Sequence, residues 1–92
     1  MHRVNGTHAK DIALHFLDVT GQRYTSAIIG KTINQAKLLL KAGYKKEEII
    51  EVIDYIVNET DVNMYSLGYV NTSINDVLRR MDENKIQYGS GF

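Results

Sequence analysis

His8, Asp11, His15 and Asp18 recur at i, i+3, i+7 and i+10, so a helix would present all four from one side. Imidazole and carboxylate are the ligand types that hold a divalent metal, and a held metal can activate water. Ligands usually converge from more than one element, and a solvated polar face opposite Ile12 and Phe16 accounts for the same spacing. The stretch TSAIIGKT, Thr25 to Thr32, ends like a phosphate-binding loop. That motif needs glycine where Thr25 stands, so that backbone amides can wrap a phosphate, and it needs a strand of a parallel sheet before it. Neither is present. No Ser, His and acid set assembles either, so the chain reads as non-enzymatic, with no catalytic residue, no metal and no cofactor.

The stretch LLLKAGYKKEEII, Leu38 to Ile50, is the next candidate, because a helix that ends at a glycine and restarts at once is the outline of a DNA-reading helix-turn-helix. Such a reader must turn its second helix toward bases and phosphates. The outward positions there are Glu47, Glu48, Glu51 and Asp54, which phosphate repels. The turn is therefore a helical corner, and the acidic row is a candidate surface for a protein partner. A nucleic-acid contact belongs instead with Lys31, Lys37, Lys41, Lys45 and Lys46, where Lys37 and Lys41 share a helix face. Tyr24 and Tyr44 flank this segment, and Tyr44 in particular can stack on an unpaired base. The plainer account is that the tyrosines line a small core and the lysines solubilise a helix.

Four helices are needed to position these groups. Thr7 can cap the first, with Ile12, Phe16, Ala9 and Ala13 on one face and an end near Asp18, before Gly21. VTGQRYTS then reads as a link. Thr25 or Ser26 can cap a second helix carrying Ile29, Ile33, Ala36 and Leu40, with Ile28 and Leu39 beside them. Gly30 weakens its first turns, so the start is left open as far as Thr32, and Gly43 is the expected stop. Glu47 and Glu48 open a third helix, where negative charge meets the positive end of the dipole, and Ile49, Val52, Ile53 and Ile56 form its inner face. NETDVNMYS connects to a fourth, starting between Ser66 and Thr72, with Leu67, Val70, Ile74, Val77, Leu78 and Met81 as its apolar seam. These stripes must cover one another, which predicts an all-α domain, orthogonal or bundle-like.

At 92 residues the chain holds one domain, 1–92, with 1–6 and 87–92 read as loose tails. Hydrophobic residues at 43% and charged ones at 24% are ordinary globular usage, so a core exists to be found. The absence of cysteine excludes disulfides and thiolate metal sites and fits a reducing compartment. With no long apolar run and no secretory pattern, the expectation is a cytoplasmic protein that does not engage a membrane. The net charge of +0 conceals a segregation: residues 1–46 hold eight basic side chains against two acidic, and the remainder three basic against nine acidic. Such polarity suits a molecule with two different partners. It equally suits two halves that attract one another, within one fold or between copies of a self-associating chain.

The run from Ile33 to Ile86 resembles the small helical modules of phage replication proteins, the replisome organisers and helicase loaders, and more distantly the C-terminal region of DnaD-type primosome proteins. The likeness lies in a leucine-rich helix, a glycine link, an EEII helix, a polar spacer, then SLGY leading into a last amphipathic helix. DnaD-type proteins carry Tyr, Ile and Trp at four-residue intervals in that last helix. Here the frame is Val70, Ile74 and Leu78, with Tyr69 one place out of step and no Trp, so those DNA-binding aromatics are not carried over. The resemblance implies a setting, a bacterial host cell in which mobile-element DNA is copied or processed. It also implies a class of work, docking on a replication protein or binding DNA, and the chain reads as an adaptor for a replication protein with DNA as a second candidate contact. The alternative is a small phage inhibitor that occupies a host enzyme through the acidic row.

Overall fold

The computed structural model describes residues 6–90, with side chains from 7 to 83. Four helices follow in order: α1 (Gly6–Thr20), α2 (Ser26–Lys41), α3 (Lys46–Glu59) and α4 (Gly68–Ser90). No strand occurs among the described residues. The all-α expectation holds.

Local chemistry explains where the elements stop. Gly21 and Gly43 have φ of 71° and 105°, a region open to glycine but strained for other residues. Each closes the same pair of reverse hydrogen bonds: Gly21 N–H to the Asp18 carbonyl and Gln22 N–H to Leu17, then Gly43 N–H to Leu40 and Tyr44 N–H to Leu39. That double closure satisfies carbonyls a helix end leaves orphaned. α1 runs past its expected end near Asp18 to Thr20, because the Thr20 hydroxyl donates to the Phe16 carbonyl at 2.7 Å and so fits the last turn. α2 begins at the early option. The Thr25 hydroxyl accepts the Ile28 amide at 3.2 Å, and Gly30 does not delay the start.

α1 packs against α2 and α3, and α4 closes the ring against α3 and α2. The ion pairs Asp11–Lys46 and His15–Asp54 advance along both helices together, so α1 and α3 run in the same sense. Ile12, Phe16, Leu17, Ile49, Val52, Ile53, Ile56, Leu67 and Val70 fill the centre. The expected inner faces of α1 and α3 are thus in place; of the expected α4 seam Val70, Ile74 and Val77 are buried, Leu67 is buried just before the helix begins, and Leu78 and Met81 are only partly covered. In α2 the face is rotated: Ala36, Leu39 and Thr32 are buried, while Ile29, Ile33 and Leu40 are only partly covered. Thr32 tolerates burial because its hydroxyl donates to the Ile28 carbonyl at 2.7 Å.

α4 starts at Gly68, where a side chain would meet Gln35 Nε2 and Ser66 Oγ at 3.1 Å, so a glycine lets this helix approach α2. It continues to Ser90, past the tail expected from 87, since no glycine or proline interrupts it before Gly89. Residues 1–5 and 91–92 of the expected tails lie outside the described residues. No described helix is long and apolar enough to cross a membrane.

Candidate functional site

The four acid and imidazole groups of α1 do not act together. Asp11 Oδ2 accepts from Lys46 Nζ at 3.1 Å, and His15 Nε2 donates to Asp54 Oδ1 at 2.6 Å, so two of the four brace α1 against α3. His8 and Asp18 stay exposed. Among the described residues no three acid, His or Cys side chains are placed to share a metal ion. Gly30, Lys31 and Thr32 lie inside α2 with the Thr32 hydroxyl turned to its own helix, which forms no cradle for phosphate.

The lysines divide by position. Lys31, Lys37 and Lys41 belong to α2, Lys45 precedes α3 and Lys46 opens it. Lys46 is held by Asp11, whereas Lys31, Lys37, Lys41 and Lys45 form no side-chain ion pair among the described residues. Lys31 and Leu38 are seven residues apart, two turns along one stripe; Lys41 follows Leu38 by three, and Lys37 precedes Lys41 by four. The result is a patch on the outer side of α2 in which the exposed Lys31 and Lys41 and the half-buried Lys37 lie around Leu38, which is 58% exposed. Both tyrosines are tied to their own chain. The Tyr44 hydroxyl donates to Asn75 Oδ1 in a short contact, and that of Tyr24 to the Leu14 carbonyl at 3.3 Å. Tyr44 is half-buried against the core and Tyr24 half-exposed. Of the two, only Tyr24 offers a broad open ring.

The acidic row is likewise partly spent inside the molecule. Glu48 Oε1 accepts the Lys45 amide at 2.9 Å, capping α3, and Asp54 holds His15. Glu47 and Glu51 remain exposed on the outer side of α3.

A third feature was not legible as a site in the sequence. The α1–α2 link and the α3–α4 connection meet at one end of the molecule, joined where Gln22 Nε2 donates to the Met64 carbonyl at 3.2 Å. Between them opens a groove of about 630 Å³, with Val19, Val57 and Met64 in its apolar lining and Asp61, Val62 and Tyr65 contributed by the connection. Tyr65 is 85% exposed and Val62 39%. The threonine hydroxyls here are committed: Thr20 donates to the Phe16 carbonyl, and Thr60 donates to the Ile56 carbonyl and accepts the Val62 amide. The only sequence signal was three apolar residues, Val62, Met64 and Tyr65, set in a polar connection.

Comparison with family models, with curated proteins and with solved structures finds no match to this chain.

Proposed function

We propose that the chain is a non-enzymatic adaptor of phage-type DNA replication or processing, which docks on a replication protein and contacts DNA through the outer face of α2. One observation carries the DNA contact: Lys31, Lys37 and Lys41 stand together on one helix without carboxylate partners among the described residues. Unpaired lysines keep their charge available for phosphate, and displacing condensed counterions supplies the affinity. Lys45 extends the patch around the corner; Lys46, engaged with Asp11, adds less. The replication setting comes from the likeness over Ile33 to Ile86, and the protein-binding role falls to Glu47 and Glu51 on α3. Mimicry of nucleic acid by the acidic row is the weaker reading, since Glu48 and Asp54 already serve the fold.

Fluorescence anisotropy with labelled single- and double-stranded DNA over a salt series tests this. Binding at low salt that weakens steeply as salt rises supports the reading. Absence of binding at low salt removes the DNA contact.

A further inference from the structure

The groove between the two links is negative in character for reasons beyond Asp61. α1 and α3 both end there, and neither has a basic side chain in its last turn. Each helix end brings about half an elementary negative charge. No basic residue lines the groove; Arg23 follows Gln22 in the chain but is not part of the lining. Its lining is mixed: Val19, Val57 and Met64 give it an apolar strip beside Thr20, Gln22 and Thr60, and the exposed Tyr65 and Val62 widen that strip. An occupant that fits must bring an apolar side chain with positive charge around it, and an ammonium can also meet the face of Tyr65.

The chain itself carries that combination. Leu38 is the one large aliphatic side chain more than half exposed among the described residues, and Lys31, Lys37 and Lys41 lie around it. It cannot reach the groove of its own molecule. The groove lies where α1 ends and α2 begins, and Leu38 stands in the twelfth position after Ser26, about 18 Å down α2 toward the other end. We infer that the groove receives the Leu38 patch of a second copy of this chain, so that copies join head to tail. The two surfaces differ, so the contact is heterologous and propagates until a ring closes. It also covers the lysines assigned to DNA, which makes self-association and DNA binding competitors. This goes beyond the adaptor reading and does not depend on it, because the association is measured with no DNA present.

Sedimentation velocity on the full chain, at rising concentration and two salt levels, is the test. Two variants separate the halves of the contact: Leu38→Asp removes the inserted side chain, and Val62→Lys with Tyr65→Lys repels it from the groove. All three altered positions are exposed, and circular dichroism checks that each variant stays helical. The wild type is expected to grow in mass with concentration and to shrink with salt, and each variant alone to remain a monomer. An equal mixture of the two variants retains one intact contact and is expected to give a species of twice the 10.5 kDa chain mass and nothing larger. A wild type that stays monomeric at millimolar concentration overturns the proposal. So does a variant that still associates alone, or a mixture that stays monomeric.

Discussion

At the scale of single residues, two glycines have opposite roles. Gly43 holds φ at 105° to end α2, so Gly43→Ala is expected to lower stability by more than about 1 kcal/mol, read as a drop in urea midpoint. Gly30 lies within α2 with negative φ, exposed, and with open space where a side chain would stand. Gly30→Ala is expected to raise stability by about 0.5–1 kcal/mol and the melting temperature by a few degrees. An unchanged or lower melting temperature would mean that Gly30 does something other than sit in a helix. The sequence made Gly43 readable, because a stop after a leucine-rich stripe has few other uses. It left Gly30 ambiguous, since helix propensity weighs against glycine while burial of Thr32, Ala36 and Leu39 outweighs that cost.

At the scale of elements, the acidic row of α3 is not one surface. Glu48 caps the helix and Glu51 points outward, so Glu48→Ala is expected to cost about 0.5–1 kcal/mol and Glu51→Ala to fall within about 0.5 kcal/mol of the wild type in thermal denaturation. The brace between α1 and α3 is worth modest energy. Its His15 and Asp54 side chains are 31% and 43% exposed, so a double-mutant cycle with His15→Ala and Asp54→Ala should return a coupling of about 0.2–1 kcal/mol. A coupling of zero would reduce that contact to a surface coincidence. Helix number, order and inner faces were legible because apolar spacing reports burial directly, as Ile49, Val52, Ile53 and Ile56 illustrate. Partners such as Asp11 with Lys46 were not, because charge in a sequence does not say which helices lie side by side. The same limit hid the groove: Val19 and Val57 are far apart in the chain and line it together only because the two links meet at one end.

At the scale of the whole molecule, the segregation of charge along the chain resolves into separate uses. Some opposite charges hold the halves together, as in Asp11–Lys46, and of those left over Lys31 and Lys41 stand exposed on α2 and Glu47 and Glu51 on α3. The candidate DNA contact was legible as a set of lysines, but only packing shows which of them stay unpaired. The most direct measurement of the central claim, that the unpaired face of α2 is the working surface, is the slope of log K against log salt for duplex DNA. The comparison is between the wild type and a variant carrying Lys31→Gln, Lys37→Gln and Lys41→Gln. Each lysine that neutralises a phosphate contributes about one unit of slope, so the triple variant should be shallower by about three. A variant with the wild-type slope and affinity would contradict the account.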